Sequence, residues 1–298
     1  MAESEIAVVR RLLLSTPRPT DLAERRERMN RFGERYALPA DVQVEAFDAG
    51  GVPAEWTTTP TARADRVLVF LHGGGYISGS LASHRHSVAR MGREAQARTL
   101  ALDYRLAPEH PFPCALDDAL AGYRFLLASG IDPGDIAIAG ESAGGGLALA
   151  LLLRLREGGE PLPACLWLSS PWVDLAMTGS SLETKADVDP LLQKAYLAEL
   201  AQVFLNGTDP RNPLASPLYA DLRGLPPTLV QVGSAETLLD DAVRIAGAAG
   251  AADVAVTLRI WPHMIHAWHL FHPQLAEGRE ALAEGGRFVN GYFGSQSG

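Results

Sequence analysis

Short apolar runs that do not alternate recur along this chain, each followed by a segment of helical character, and that pattern limits the folds open to it. Residues 66–71 read Arg-Val-Leu-Val-Phe-Leu, and comparable runs lie at 99–102, 136–139, 164–168, 228–232 and 254–260. A run this short and this apolar fits a strand buried on both faces. Helical segments at 87–97, 116–128, 143–156, 238–249 and 275–292 separate the runs. Such alternation builds a mostly parallel sheet with helices on both faces, because each crossover between parallel strands lays a helix against the sheet. An antiparallel hairpin precedes the series. Val42, Val44 and Ala46 alternate, Gly50-Gly51 turns, and Val52, Ala54 and Trp56 alternate again. The expectation is an α/β fold with about eight strands.

The pattern breaks once, over about 176–216, where a helix at 190–204 intervenes between strands. Residues 1–40 also read as helical: Val8, Val9, Leu12 and Leu13 recur at near-helical spacing, and a charged helix follows Thr20-Asp21. We expect these two parts to form a small helical cap over the C-terminal edge of the sheet, where open α/β sheets place their sites. The rest of 41–298 is then the main domain.

Twenty-six basic residues stand against 35 acidic ones, a net charge of −9, which argues against a nucleic-acid or anionic-membrane partner. The Leu12-Leu13-Leu14 cluster is too short for a secretory core. The apolar stretch 147–153 falls well below the roughly 18–20 residues of a membrane helix. Cys114 and Cys165 show no C-x-x-C spacing, so two thiols in a reducing compartment are expected. These features predict a soluble cytoplasmic protein.

The run at 136–139 leads into Gly140-Glu141-Ser142-Ala143-Gly144 and then directly into a helix. G-x-S-x-G between a strand and a helix resembles the nucleophile elbow of α/β-hydrolases, a sharp strained turn that exposes the serine hydroxyl. Ser142 is therefore the candidate nucleophile. A second loop, His72-Gly73-Gly74-Gly75-Tyr76, follows the run at 66–71. Its glycines let backbone amides approach a substrate, and such donors stabilise the oxyanion of acyl transfer. The candidate donors are Gly74, Gly75 and Ala143, the residue after the nucleophile. The loop lacks the G-x-G-x-x-G or Gly-Lys-Ser/Thr pattern of a phosphate cradle. His72 is expected to hold the loop in shape.

In this fold the triad runs Ser, then Asp or Glu, then His. The loop after 228–232 offers Glu236, while Asp240 and Asp241 fall at the start of the next helix, where they suit its positive end. Position favours Glu236 as the acid. The loop after 254–260 offers four histidines, His263, His266, His269 and His272.

Taken together, the chain from about Val42 onward resembles the hormone-sensitive-lipase-like branch of the α/β-hydrolase superfamily, the bacterial family IV carboxylesterases. His72-Gly73-Gly74-Gly75, Gly140-Glu141-Ser142-Ala143-Gly144 and the stretch Asp103-Tyr104-Arg105-Leu106-Ala107-Pro108-Glu109-His110-Pro111-Phe112-Pro113 carry the resemblance. Met264-Ile265-His266 resembles the branch's histidine loop and selects His266 among the four. Two positions depart from the pattern: Glu141 where Asp or Thr is usual, and Glu236-Thr237 where Asp-Pro is usual. The resemblance implies a serine carboxylic-ester hydrolase working through Ser142, His266 and Glu236, acting on short- to medium-chain acyl esters without metal or organic cofactor. The same machinery would serve a lactone hydrolase or a deacetylase, and a catalytically silent binding protein is the reading from another class. Members of the branch often pair through the last strand or helix, so a homodimer through the region from Val254 onward is a further expectation.

Overall fold

The structure is a computed structural model that describes residues 3–294. The first two and last four positions of the sequence lie outside the described residues. Two helices open the chain, α1 (Glu5–Leu14) and α2 (Leu22–Glu34), the second capped by Asp21, whose side chain accepts from the Glu24 amide. Strands β1 (Gln43–Asp48) and β2 (Pro53–Thr58) form the expected hairpin. Then follow β3 (Arg63–Leu71), α3 (Leu81–Ala95), β4 (Ala97–Leu102), α4 (Cys114–Ala128), β5 (Ile136–Glu141), α5 (Ala143–Glu157) and β6 (Cys165–Ser169). The insert carries α6 (Ser181–Thr184) and α7 (Lys194–Leu205), and the chain closes with β7 (Thr228–Gly233), α8 (Leu239–Ala251), β8 (Val256–Trp261) and α9 (Ala276–Tyr292).

Among the described residues the strands make one eight-stranded sheet in the order β1-β2-β4-β3-β5-β6-β7-β8. The pairs β1–β2 and β2–β4 are antiparallel, and every other pair is parallel. Continuous apolar strands are explained by the two cores. In β3, Leu68 and Phe70 enter a cluster with Val88 and Met91 of α3 and Leu282 and Val289 of α9. Their neighbours Val67, Val69 and Leu71 enter the opposite cluster with Tyr123 of α4, Leu147 and Leu151 of α5, and Ile245 of α8. Ala137 and Ala139 divide from Ile136 and Ile138 in the same way. Successive side chains point to opposite faces of a strand, so a polar residue at any of these positions would be buried without a partner.

The helix expected at 87–97 begins six residues earlier, at Leu81. Ser80 accepts from the Ser83 amide, and Ser83 Oγ accepts in turn from the Ser80 amide, a capping box with serine in place of the usual Glu or Gln. A third apolar cluster joins Val9 of α1 to Trp261, Met264, Ile265, Trp268 and Phe271, with Phe32 of α2 packed against it. The N-terminal helices thus sit on the loop that follows β8. No helix among the described residues is long and apolar enough to cross a membrane.

Candidate active site

Every residue singled out for chemistry lies just past the C-terminal end of a parallel strand. The loop 72–75 follows β3, Ser142 follows β5, Glu236 follows β7 and His266 follows β8. Ser142 occupies φ 54°, ψ −121°, a conformation that L-residues rarely adopt, at the turn into α5. Its amide donates to the Ser169 carbonyl at 3.0 Å, and its carbonyl accepts from Gly145 and Trp172, each at 2.9 Å. The turn needs glycine at its end: a Cβ on Gly144 would collide with the Leu71 carbonyl oxygen. Two strands and a helix start pack that tightly around one serine.

The structure brings the three triad candidates together. Ser142 Oγ lies 2.9 Å from His266 Nε2, and His266 Nδ1 lies 2.8 Å from Glu236 Oε2. All three are buried, with Ser142 7% and His266 5% exposed and Glu236 fully covered. The second oxygen of Glu236 accepts from the Gly233 amide at 2.5 Å and from Ser170 Oγ at 2.9 Å. Burial alone would hold the His266 imidazolium below its ordinary pKa, but the hydrogen bond to Glu236 and the charges of Glu236 and Glu141 outweigh it and raise the pKa.

Gly74 and Gly75 line the same cavity as Ser142 and His266, and both take positive φ, 119° and 65°. The amides of Gly74, Gly75 and Ala143 meet no backbone acceptor among the described residues outside regular secondary structure. His72 supports this loop from behind. Its Nδ1 lies 2.7 Å from the Gly73 carbonyl, its ring stacks on Tyr104 at 4.2 Å, and the Tyr104 hydroxyl donates to its carbonyl. Burial, helped by the nearby His84, pushes the His72 pKa down to about 3, so its ring stays neutral.

The other candidates lie elsewhere. His263 is exposed, His269 is buried in the turn Trp268–Phe271, and His272 stacks on His86 at 5.4 Å. Asp240 and Asp241 do more than face their own helix end. Asp240 accepts from Ser180 Oγ and the Ser181 amide, and Asp241 from the amides of Val173 and Asp174, so both anchor the strand of chain that leads into the insert. Three residues that the motifs did not single out belong to the site. Ser170 holds Glu236. Asp189 accepts from the amide and hydroxyl of Thr237, tying the insert to the acid loop. Glu141 lies 2.9 Å from His84 Nε2 and 3.7 Å from His266 Nε2. Only Glu141 left a trace in the sequence, as an unusual residue inside the elbow.

Above this chain of hydrogen bonds lies a cavity of about 340 Å³. Its far wall comes from both suspected cap segments: Leu13, Met29 and Phe32 from the N-terminal part, Leu191, Tyr196 and Leu200 from the insert. Tyr76 is turned out of it, stacked on Phe204 at 3.7 Å.

A strained serine, a buried imidazole and a buried carboxylate in one line, beneath an apolar cavity at the C-terminal edge of such a sheet, define an α/β-hydrolase site. A family model described as the alpha/beta hydrolase fold matches residues 68–270, and the chain belongs to that family. An acetyl-hydrolase of Streptomyces hygroscopicus is 46% identical over 295 residues, 97% of each chain. An esterase of Acinetobacter venetianus is 40% identical over 249 residues, 83% of this chain and 82% of that one. The crystal structure of an esterase from the bacterial hormone-sensitive lipase family superposes with a TM-score of 0.95 at 47% identity, covering 99% of this chain and 100% of the other. This protein is an ester-hydrolysing enzyme of the hormone-sensitive-lipase-like branch.

Proposed function

We propose that the chain is a serine carboxylesterase in which Ser142 is the nucleophile, His266 the general base and acid, and Glu236 the carboxylate that orients the imidazole. The observation that carries this reading is the unbroken contact Ser142 Oγ–His266–Glu236 at 2.9 and 2.8 Å. With Nδ1–H donated to Glu236, Nε2 is left as the acceptor for the Ser142 proton. Ser142 Oγ then attacks the ester carbonyl while His266 takes that proton. The carbonyl oxygen becomes an anion, held by the amides of Gly74, Gly75 and Ala143. Collapse expels the alcohol, which leaves with the proton from His266, and water repeats the sequence on the acyl-enzyme. Glu236 keeps the imidazole in the productive tautomer and stabilises its cation. Replacing Ser142 with Ala should remove the burst and the turnover of p-nitrophenyl acetate, while the circular dichroism spectrum stays that of the parent. Retained turnover would defeat the assignment.

Residues 1–40 and 176–216 act as a cap in this reading, and the cavity they close sets acyl length. Each buried methylene adds about 0.8 kcal/mol while space lasts. Activity on a p-nitrophenyl series is expected to rise from acetate to about butyrate or hexanoate and to fall beyond roughly octanoate, as burial gains end when the pocket is full. A maximum at dodecanoate would overturn the pocket argument. The acetyl-hydrolase name of the Streptomyces relative favours removal of acetyl groups as a second reading. Lactones would use the same steps. A homodimer through the outer edge of β8 is supported by the exposed Leu258 and Ile260, and light scattering of the Ile260→Lys variant tests it. Two free cysteines, Cys114 and Cys165, support residence in a reducing compartment such as the cytoplasm.

A further inference from the structure

The cavity above Ser142 is lined by apolar side chains from both cap segments and also by cations. Four arginines line it, Arg18, Arg25, Arg28 and Arg35, all from the N-terminal segment. One of them has an acidic partner: Arg25 pairs with Glu199 at 2.8 Å. Arg28 donates only to the carbonyls of Thr16 and Pro17, and Arg18 donates to the Leu191 carbonyl with its guanidinium 3.5 Å from the centre of the Tyr196 ring. The Arg35 side chain is exposed and makes no hydrogen bond or ion pair among the described residues, while its amide donates to the Gly33 carbonyl at the end of α2. The one acid lining the cavity, Glu141, sits at its floor and is already matched by His84.

This arrangement is unlike the rest of the molecule. Acidic residues outnumber basic ones by nine over the whole chain, yet the entrance concentrates guanidinium groups with too few carboxylates to neutralise them. Burial draws the Arg18 pKa below its ordinary value and the neighbouring Arg25 adds to it, against the pull of Tyr196, Asp189 and Glu199. A neutral ester gains nothing from such a set. A carboxylate or similar oxyanion on the substrate would gain charge-assisted, forked hydrogen bonds.

We propose, resting on the esterase reading above, that the preferred substrates carry an anionic group remote from the scissile ester, bound at the pocket entrance by Arg28 and Arg35 with Arg18 beside them. The reacting carbonyl occupies the buried end at Ser142, and the anion stays at the more exposed end. Attraction of this kind also raises the encounter rate of anionic substrates with an otherwise anionic protein.

The test compares esters that differ only in charge. On the acyl side, mono-p-nitrophenyl adipate is set against its terminal primary amide. On the alcohol side, 3-(4-acetoxyphenyl)propanoate is set against its primary amide. At low salt the carboxylate is expected to exceed the amide in kcat/KM by about tenfold in at least one pair, chiefly through KM, as two or three ion pairs of exposed strength would give. The pair that shows the preference identifies which half of the substrate reaches the arginines. Arg35→Gln should lower the ratio about two- to fivefold, the size of one exposed ion pair. Arg35→Lys should restore most of it, and sodium chloride should erode it in the parent. Arg28→Gln should lower the ratio further, but Arg28 also holds local backbone, so Arg35, whose side chain holds nothing, is the decisive position. Ratios at or below one in both pairs, or a ratio unmoved by Arg35→Gln, would overturn the proposal while hydrolysis of the neutral amides leaves the esterase reading standing. Failure to cleave any of the four esters would instead bring down the esterase reading itself.

Discussion

Glu141 stands one position before the nucleophile, 3% exposed, with one oxygen on His84 and the other 3.7 Å from His266. Burial opposes its ionisation, but the hydrogen bond and charge of His84 and the neighbouring His266 hold its pKa down to about 2. It is therefore an anion throughout the working range, and its charge adds to that of Glu236 in raising the His266 pKa. In the proposed mechanism the working form of His266 is the neutral base, so activity is expected to rise with pH through that raised pKa. Glu141→Gln removes one of the charges that raise it. The acid limb of the kcat/KM profile should then move to lower pH, with activity gained below the parent's midpoint. A limb that stays in place would show that Glu141 acts only through packing. The same carboxylate explains Gly73, since a Cβ there would collide with it. Ser142, the glycine loop and Glu236 were legible from local pattern because each depends on a turn at a strand end. Glu141's influence, and the hold of Ser170 on Glu236, depend on residues far apart in sequence that only the folded sheet edge brings into contact.

Among the elements, α1 has the least obvious duty. Val9 is fully buried with Met264, Ile265 and Trp268, the neighbours of His266, while Val8 beside it is 42% exposed. Phe32 of α2 adds an edge contact to Phe271, with ring centres 5.2 Å apart. The N-terminal helices therefore brace the histidine loop as well as walling the cavity. Val9→Ala should cost about 1–2.5 kcal/mol of stability from lost burial and an unfilled gap, and kcat should fall with it as the loop loosens. Val8→Ala, which exposes nothing new, is the control. Chemical denaturation and steady-state rates on the two variants check this, and equal effects at both positions would remove the bracing role. The helical character of α1 was readable from its period, six of the strands from their apolar runs and the first two from the alternation of a hairpin. Which surface α1 covers was not, because a 3.6-residue period identifies an apolar face but not its partner. The Asp21 cap of α2 was readable, but the serine box that begins α3 was missed for a related reason: serine at the third helical position is a weak signal in isolation.

On the scale of the whole molecule, the interior holds an unusual store of neutral histidine. Burial pushes the pKa of His72 and His272 down to about 3 and that of His86 and His269 down to about 4. In the unfolded chain each would titrate at about 6.5. A depressed folded pKa means stability that is present above the unfolded value and lost as pH falls toward the folded one, because the unfolded state then binds protons that the native state refuses. Several groups work in the opposite sense: burial raises the Glu236 and Asp103 carboxyls, and the hydrogen bond to Glu236 raises His266. Burial, together with the charge of Asp174, lifts the Asp241 pKa to about 7, so near pH 5 the native state holds a proton there that the unfolded state has released. The four rings favour unfolding on acidification, and the raised carboxyls offset part of this. Near pH 5 the unfolding free energy should therefore fall as pH falls, by up to about 4 kcal/mol per pH unit, the slope for three protons. Over the two units from about pH 6 to pH 4 that reaches at most about 8 kcal/mol, enough to consume a stability in the lower part of the typical range of about 5–15 kcal/mol. Urea titrations at half-unit intervals from pH 7.5 to 4.5 measure the slope directly. Asp241→Asn removes one opposing proton and keeps a carbonyl acceptor for the Val173 and Asp174 amides, so its slope should steepen by that of about one proton. His269→Gln should flatten it by about one. A slope near zero in the parent would mean that these rings do not stay neutral in the folded protein, and the picture of a dry, uncharged layer behind the catalytic residues would be wrong.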